Sequence, residues 1–270
     1  MSEENISEYL CGKKLYGDDF ILKDIEEWYA AEKEGYASIG KKDREHYVYV
    51  YHELNKQLGF SYLKKEKIQK ALGLGSAYGD EFFPIIEKIK HITILEPSDM
   101  FSSSEKICNT PCQYVKPCVD GHMPFDDNQF GLIVSLGVLH HIPNVSHVMT
   151  ECNRVLSKDG IMLIREPIVS MGDWSKPRKG LTRNERGIPY DIFKTIIAKT
   201  GFNIKHSSFC SFAPLLKISN KFGIVVYNNR TLTKLDVILS NMFRWNIKYH
   251  PTKLIHKFMP ASAYFILEKI

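Results

Sequence analysis

Residues 70–82 read KALGLGSAYGDEF, and this stretch is the first indication of the fold. It places Gly73, Gly75 and Gly79 where a buried strand is expected to turn into a helix. Glycine lets the backbone adopt a positive φ and approach a ligand closely. A tight turn without a ligand would use the same residues, because a glycine-rich loop alone is a weak signal. The loop predicts a strand, a turn and a helix, and leaves the ligand open.

On either side of this loop, β-branched runs alternate with stretches of helical periodicity. Strands are predicted at residues 67–74, 91–95, 113–117, 131–136, 160–165, 202–209 and 261–268, and helices at 80–90, 145–156 and 189–200. Strands that alternate with helices favour a parallel, doubly wound sheet. We expect an α/β fold, with a Rossmann-like, mostly parallel sheet of about seven strands and helices on both faces.

The flanking segments differ in character from this core. Residues 1–65 carry helical periodicity at 20–36 and 43–60, which predicts an N-terminal helical cap or lid. The core is expected at 66–210, and its last strand at 261–270. Between them, residues 211–260 are irregular, aromatic and basic, and we interpret them as an insertion that shapes a binding site or a dimer contact.

Composition narrows the class of protein. The chain has 270 residues, of which 44% are hydrophobic and 25% charged, which is typical of a folded protein and not of a disordered one. Its apolar runs are shorter than the ~20 residues of a membrane span, so no transmembrane segment is predicted. The first ten residues, MSEENISEYL, are acidic and polar, unlike a secretory signal, so we expect a cytoplasmic protein.

The cysteines and the charge distribution carry weaker signals. An intracellular chain keeps its thiols reduced, and the spacing of Cys108, Cys112 and Cys118 is not that of a zinc site, so we expect neither disulfides nor a metal. The net charge is +5. Lysine and arginine concentrate at 176–186 and 217–257, which indicates contact with phosphate, lipid head groups or nucleic acid, or a solvated basic face.

A carboxylate follows the second predicted strand. Glu96 comes directly after HITIL and about twenty residues beyond the glycine loop. A nucleotide-binding Rossmann unit places an acid there to accept hydrogen bonds from the ribose hydroxyls. The alternative is a solvent-facing acid at a strand end, but the carboxyl edge of such a sheet is where ligands bind. The loop and Glu96 together predict a nucleoside-containing ligand.

Residues 119–144, VDGHMPFDDNQFGLIVSLGVLHHIPN, make the pattern more specific. Their order of acid, Pro-Phe turn, buried strand and His-His pair resembles class I S-adenosylmethionine-dependent methyltransferases of the small-molecule type. The resemblance covers most of the chain and is strongest at 70–167. It implies S-adenosylmethionine as cofactor and S-adenosylhomocysteine as product. REPIVSMGDW (165–174) and GLTRNERGIP (180–189), with the C-terminal residues 246–269, are similar to a branch associated with bacterial surface-polysaccharide biosynthesis and sugar modification.

The resemblance also implies which residues hold the cofactor. Gly73 and Gly75 would pass beneath the methionine and ribose, and Glu96 would hold the ribose. The remaining cofactor contacts would be Asp120, Gly121 and His122 at the adenine amino group and Leu136 and Gly137 at the sulfonium end.

The sequence departs from the family pattern at two positions. Ala71 stands where the family usually has an acid that reaches the cofactor's amino group, and Ala77 where it keeps a third glycine. We expect Tyr36 or Glu34 of the cap to replace the acid. The alternatives are that the cofactor sits differently or that the chain is a catalytically inactive Rossmann scaffold.

A methyl acceptor with a hydroxyl group would need a base. His141 and Glu166 are predicted for this role ahead of His140, because all three follow strand ends at the mouth of the sheet. The alternative for either histidine is a buried core residue with its hydrogen bonds satisfied.

Arginines and aromatics near the same edge suggest the acceptor. Arg165, Arg183 and Arg186 are predicted to grip a phosphate or carboxylate of a small-molecule acceptor, a sugar nucleotide or phosphorylated sugar, through forked hydrogen bonds. Pairing of the last two with Glu185 on an ordinary loop is the alternative. The aromatics that would stack on a sugar, or else pack in the core, are Trp28, Tyr29, Tyr36, Phe243, Trp245 and Tyr249.

Other classes share parts of this pattern. A nicotinamide oxidoreductase would use the loop and Glu96, but it does not call for the turn at Asp120 or for the histidine pair. A nucleic-acid methyltransferase fits the basic balance, yet the sequence has no recognition domain or long basic arm, so no nucleic-acid partner is expected. A homodimer is compatible with every one of these patterns.

Overall fold

The sheet dominates the structure. A computed structural model of the chain describes residues 3–39, 43–101, 105–174, 176 and 178–270. The strands within these residues are β1 (Ile68–Leu74), β2 (Ile89–Leu95), β3 (Lys106–Ile107), β4 (Thr110–Val115), β5 (Phe130–Leu136), β6 (Leu156–Pro167), β7 (Phe202–Phe212) and β8 (Pro260–Lys269). They form one eight-stranded sheet in the order β3-β4-β2-β1-β5-β6-β8-β7.

Strand directions confirm the predicted α/β sheet. The central strands β4, β2, β1, β5 and β6 are parallel, and β8 lies antiparallel between β6 and β7. The short β3 pairs antiparallel with β4, and it is the strand that the sequence did not predict. A strand of two residues is too short for its sequence to show a period, so seven strands were expected where eight are found.

The strand order fixes where a ligand can bind. The chain leaves β1 toward β2 on one side and later returns to β5 on the other. Such a reversal opens a crevice at the carboxyl ends of the parallel strands, where α/β sheets bind their ligands. Leu72, Ile133 and Val134 on these strands are fully buried, so helices and loops cover both faces around the crevice.

Helices cover the sheet and its carboxyl edge. Those of the described residues are α1 (Glu3–Leu10), α2 (Leu22–Glu32), α3 (His52–Leu58), α4 (Val145–Val155), α5 (Tyr190–Lys199), α6 (Ala213–Lys221) and α7 (Arg230–Met242). The helix predicted after the glycine loop is a 3-10 helix, Asp80–Lys88, with Pro84 inside it. Proline lacks the N–H that a regular α-helix would use, which accounts for the tighter form.

The predicted helix at 43–60 is wrong in its first half. The α-helical part is α3, and residues 47–51 have no regular secondary structure and line the cavity. Their sequence, YVYVY, alternates tyrosine with a β-branched residue, and both types favour extended backbone. This alternation repeats every two residues, and the helix prediction mistook it for part of an amphipathic helical pattern.

The segment 211–260 contains more regular structure than expected. α6 and α7 lie within it, and α7 packs against β7. The side chain of Asn229 accepts hydrogen bonds from the backbone N–H groups of Thr231 and Leu232, both at 3.0 Å, and so caps the start of α7. The division of the chain into lid, core, insertion and last strand stays a prediction.

Candidate active site

A cavity of about 490 Å³ opens at the carboxyl edge of the sheet. The glycine loop and the ends of β2, β5 and β6 form its floor. N-terminal residues between Ile25 and Tyr51 line the opposite side, and we call this part of the chain the cover. Trp28 donates a hydrogen bond from Nε1 to the carbonyl oxygen of His141, at 2.7 Å, and joins the cover to the sheet edge. The volume falls within the range of small-molecule sites.

The glycine loop has the close contacts that its sequence predicts. Gly75 has a φ of +57° and lines the cavity, and a Cβ built there would lie 2.6 Å from Val138. Gly73 lies beneath it, where a Cβ would meet the Ser76 Oγ at 2.3 Å, so this glycine serves packing within the loop. Ala77 also has positive φ, +47°, at the position where the family has glycine. The loop therefore keeps its turn without the third glycine.

Glu96 lies at the cavity wall as predicted. Its carboxylate accepts hydrogen bonds from the backbone N–H groups of Ala77 and Ser98, both at 3.1 Å. Burial raises the pKa of Glu96 to about 7. A buried carboxylate fixed by two backbone donors can accept further hydrogen bonds from a ribose diol.

At the predicted adenine end, the structure brings only part of the motif to the cavity. Gly121, with a φ of +91°, lines the wall beside Met123. Asp120 is exposed, and its carboxylate accepts a hydrogen bond from the backbone N–H of His122 at 3.0 Å. The His122 ring pairs with Glu151, 2.9 Å away, outside the cavity lining. In this arrangement the backbone of Gly121, and not the two side chains, faces the ligand.

At the predicted sulfonium end, Leu136 and Gly137 lie in the cavity lining. Two ionisable residues that the sequence did not place together, Glu81 and Arg165, lie in the same lining. Glu81 is buried, hydrogen-bonded to Ser76, and burial raises its pKa to about 8. Arg165 is buried with its guanidinium 3.6 Å from the centre of the Tyr51 ring.

Arg165 has capacity left for an anion. Its Nη2 donates to the Leu136 carbonyl oxygen at 3.1 Å, whereas Nη1 is buried without a hydrogen-bond partner among the described residues. A buried, unsatisfied guanidinium N–H is costly, and a ligand carboxylate or phosphate would relieve that cost.

Glu81 places a carboxyl group in the cavity lining, although the sequence has Ala71 where the family pattern has an acid. Glu34, one of the expected replacements, lies outside the lining and accepts hydrogen bonds from Ser98 Oγ and the Asp99 N–H instead. Tyr36, the other, does line the cavity, with its ring 6.0 Å from that of His141. Glu81 follows Gly75 by six residues, and no period or spacing in the sequence distinguishes it. The sequence analysis therefore missed it.

The two predicted histidines have different surroundings. The His140 ring donates from Nδ1 to Glu166 at 2.7 Å and lies 3.5 Å from Glu185 through Nε2. Burial alone would lower the pKa of His140, but the two carboxylates outweigh it and raise it to about 9. His140 is therefore an imidazolium at neutral pH and cannot accept a proton.

Glu166, also predicted as a base, is fully buried and outside the cavity lining. Its carboxylate accepts the backbone N–H groups of Val138 and Leu139, at 2.9 and 2.8 Å, besides the His140 ring. These donors occupy both oxygens. The geometry makes Glu166 a positioning residue that holds the loop after β5.

His141 lines the cavity and faces the cover. Its Nδ1 lies 3.1 Å from the carboxylate of Glu32, on α2, and 3.3 Å from Thr182 Oγ1. Burial and then the positive charge of His140 lower the pKa of His141, so this ring is neutral at pH 7. Burial alone would raise the pKa of Glu32. Hydrogen bonds from His141, Thr182 and the Asn184 N–H outweigh this effect and lower the pKa, so the carboxylate is ionised.

The structure places the three predicted arginines in different surroundings. Only Arg165 lines the cavity. Arg183 is exposed. Arg186 is fully buried and donates to backbone carbonyl oxygens of five residues: Tyr16, Leu139, His140, Ile142 and Pro143. Because its donors are taken, Arg186 stabilises the loop and is not brought to the acceptor.

The aromatics are divided in the same way. Trp28, Tyr29 and Tyr36 line the cavity. Phe243, Trp245 and Tyr249 lie outside it, and Trp245 is 72% exposed. Only the aromatics of the cover are placed to contact an acceptor.

Among the residues that the structure describes, two groups of side chains have the composition of a metal site. Atoms of His140, His141 and Glu185 lie within 4.8 Å of one another, and so do those of the exposed Asp43, Glu45 and His46. In the buried group, a metal would have to displace the proton that His140 shares with its carboxylates. The described cysteines are free thiols.

Comparison with known proteins identifies the domain. Residues 72–164 match a family model described as a methyltransferase domain. No curated protein matches the sequence. The match spans the strands and loops that build the cavity.

Solved structures share the fold at low sequence identity. The [4+2]-cyclase SpnF is 14% identical with a TM-score of 0.57, over 93% of this chain and 97% of that one. A Leishmania major S-adenosylmethionine-dependent methyltransferase has the same identity and TM-score over 93% and 88%. A Mesorhizobium loti S-adenosylmethionine-dependent methyltransferase is 13% identical, with a TM-score of 0.51 over 80% and 98%.

The matched domain and the cavity define the class of enzyme. The chain is a methyltransferase, and S-adenosylmethionine is its cofactor. Gly75, which lines the cavity with positive φ, and the unsatisfied Nη1 of Arg165 fit this cofactor.

Proposed function

We propose that this methyltransferase acts on a hydroxyl group of a small molecule, a sugar or a phosphorylated glycan precursor, with His141 as the base. The observation that carries the proposal is the contact of His141 with Glu32 at 3.1 Å inside the cavity. It joins a neutral imidazole to an ionised carboxylate beside the sulfonium end of the cofactor site.

The charge states support His141 as a base. Bound S-adenosylmethionine supplies a methyl group on a positively charged sulfur, so the chain's residues contribute alignment and proton removal. With Nδ1 donating to Glu32, Nε2 is left to accept the proton of the attacking hydroxyl. His141 would take that proton at Nε2 as the methyl group is transferred, and would become an imidazolium beside the Glu32 carboxylate.

Glu32 acts as a positioning residue in this scheme. It fixes the tautomer of His141 and stabilises the imidazolium that forms. Because Glu32 lies on α2 of the cover and also accepts the Asn184 N–H at 2.8 Å, the base is complete only when the cover lies against the sheet edge. Closure would also exclude water from the reacting atoms.

The cavity supports a small acceptor of mixed polar and aromatic character. Its volume of about 490 Å³ suits a cofactor with a compact acceptor and has no room for a nucleic-acid duplex. Trp28 and Tyr29 offer ring faces to a sugar, and Arg165 offers an N–H to a phosphate or carboxylate. A cytoplasmic location and a homodimer stay parts of this proposal.

Transfer of label from radioactive S-adenosylmethionine tests the acceptor class. The purified chain is incubated with separate pools of sugar nucleotides, phosphorylated sugars and total RNA. We expect label in a sugar pool, and no label when His141→Ala replaces the wild type. Label in RNA alone would overturn the proposed acceptor. Label in no pool, from protein that still binds S-adenosylhomocysteine, would contradict the proposed sugar chemistry.

A further inference from the structure

Exposed apolar side chains are concentrated in the segment 211–260. Of the 19 large hydrophobic residues that the described part of the chain exposes, 11 lie in this segment of 50 residues. They are Ile218, Phe222, Ile224, Val225, Leu235, Ile238, Met242, Trp245, Leu254, Ile255 and Phe258. Scattered exposed leucines are normal in any protein, but such a concentration marks an interaction surface.

Helix α7 has an apolar stripe on its outer face. Its fully buried residues, Thr233, Asp236 and Ser240, are polar, although other apolar residues of the helix pack partly buried against the core. The outer face carries Leu235, Ile238 and Met242 at spacings of three and four residues. A helix that only covered the sheet would keep its outer face polar. The exposed stripe on α7 therefore has the character of an interaction surface.

Neighbouring turns extend this apolar surface. Trp245 follows Met242 by three residues and is 72% exposed. The side chain of Asn246 donates hydrogen bonds to the carbonyl oxygens of Ile255 and Phe258, at 2.7 and 2.9 Å. This contact holds the turn at 254–258 next to Trp245. Ile218 of α6 and Phe222, which directly follows α6, are exposed four residues apart.

The same segment carries the positive charge of the protein. Residues 211–260 contain eight lysines and arginines and one acid, Asp236, a net charge of +7 against +5 for the whole chain. Asp236 is buried and accepts the backbone N–H groups of Ser211 and Phe212, at 2.9 and 2.7 Å. This carboxylate therefore lies inside the protein, and the charged residues on the outer surface of the segment are lysines and arginines.

We propose that the apolar and basic surface of residues 211–260 docks on an anionic lipid membrane. Aliphatic and aromatic side chains would enter the acyl boundary, and the surrounding lysines and arginines would meet acidic head groups. None of the described helices is long and apolar enough to cross a membrane, so this contact lies in the plane of the interface.

Charge complementarity decides between the possible occupants. In a symmetric dimer, this surface would face itself, and its basic residues would meet basic residues. A nucleic acid would satisfy the charge but would leave the aliphatic side chains of α7 against phosphates and water. An anionic membrane satisfies both the charge and the apolar stripe.

Vesicle co-sedimentation of the full chain tests the proposal. We expect binding to phosphatidylcholine vesicles that contain 30% phosphatidylglycerol, at least tenfold weaker binding to pure phosphatidylcholine, and partial release in 0.5 M NaCl. The double variant Phe222→Glu/Trp245→Glu should lose more than tenfold in affinity. Ile21→Glu, at an exposed apolar residue outside the segment, is the matched control and should bind as the wild type does.

Each contrary result has a separate meaning. Failure of the folded wild type to sediment with anionic vesicles would overturn the proposal, as would equal binding by the double variant. A wild-type dimer that the double variant makes monomeric, without vesicle binding, would assign the surface to a second copy. Salt-sensitive RNA binding without vesicle binding would assign it to nucleic acid. Binding of S-adenosylhomocysteine by every variant checks the fold independently.

Discussion

His140 and His141 are adjacent in sequence, yet they differ in charge and role. His140 lies between Glu166 and Glu185, and its positive charge helps to keep His141 neutral. One histidine holds the loop after β5, and the other faces the cavity with Glu32 behind it. The pair therefore contains one protonated and one neutral imidazole ring at neutral pH.

This arrangement predicts the pH dependence of turnover. Because His141 must be unprotonated to act as a base, kcat should fall as the pH drops through its lowered pKa, below 6.5. His141→Ala should reduce kcat by about 10²–10⁴-fold. Glu32→Gln removes the carboxylate that raises this pKa, so the acidic limb should move to lower pH while kcat falls. Steady-state kinetics from pH 5 to 9 measure both effects, and an unchanged profile in both variants would remove His141 as the base.

Glu81 and Arg165 make a second prediction, for cofactor binding. S-adenosylhomocysteine carries an ammonium and a carboxylate, whereas methylthioadenosine lacks both. If Glu81 and Arg165 hold these groups, Glu81→Gln and Arg165→Leu should weaken S-adenosylhomocysteine binding by about 10–100-fold when measured above pH 8, where Glu81 is ionised. This is the effect of one charge-assisted hydrogen bond. Binding of methylthioadenosine should change little, and calorimetry with the two ligands separates the effects.

The pH dependence of the same binding has a definite sign. Glu81 is protonated below about pH 8 and attracts an ammonium only when ionised. Affinity for S-adenosylhomocysteine should therefore rise as the pH increases through 8, and Glu81→Gln should abolish that rise. A rise that persists in the variant would show that another group titrates.

Among the elements of the fold, the glycine loop and α7 depend on contacts with distant parts of the chain. The loop packs against Val138 after β5, and α7 turns polar side chains toward β7. The need for glycine at position 75 follows from its contact with Val138, and the polar buried face of α7 follows from its contact with β7.

The loop gives a prediction with a matched control. Gly75→Arg should abolish binding of S-adenosylhomocysteine, because the side chain would fill the cavity and collide with Val138. Gly180 also has positive φ, +76°, but no atom lies within 4 Å of the position that a Cβ would take there, so Gly180→Arg should bind normally. Normal binding by the Gly75 variant in calorimetry would refute the location of the cofactor.

The buried face of α7 gives a prediction for stability. Asp236 accepts hydrogen bonds from two backbone N–H groups and, at 3.0 Å, from the Tyr227 hydroxyl. Asp236→Ala leaves these donors unpaired and should lower the free energy of unfolding by about 2–4 kcal/mol. Asp236→Asn keeps one acceptor oxygen and should cost less. Urea unfolding measures both, and equal stability of alanine and wild type would contradict the network.

In the molecule as a whole, the sheet edge and the N-terminal cover enclose the cavity between them. The match to a methyltransferase domain covers 72–164, whereas Glu32, Tyr36 and the YVYVY segment come from the cover. The resemblance of SpnF, a [4+2]-cyclase, shows that the sheet alone does not determine the reaction. We infer that the cover and the loops set the acceptor.

Hydrogen exchange tests this enclosure. S-adenosylhomocysteine should slow exchange of the backbone N–H groups at residues 47–51 by at least tenfold, because that segment lines the cavity. Exchange in α7 should not change, since α7 lies outside the lining. Equal protection of both segments would indicate a general stabilisation and not closure over the ligand.

The α/β sheet, the glycine loop and the position of Glu96 could be predicted from sequence, because they depend on period, spacing and local backbone conformation. The methyltransferase class was implied by the resemblance of the motifs to a known family. The sequence predicted His141 but could not separate it from His140 or Glu166. That separation depends on tertiary contacts, since burial and carboxylates from distant segments set the pKa values of the two histidines, and backbone N–H groups occupy Glu166. The partnership of Glu81 with Arg165, the saturation of Arg186 and the outward apolar face of α7 likewise depend on residues far apart in the chain, which no local pattern records.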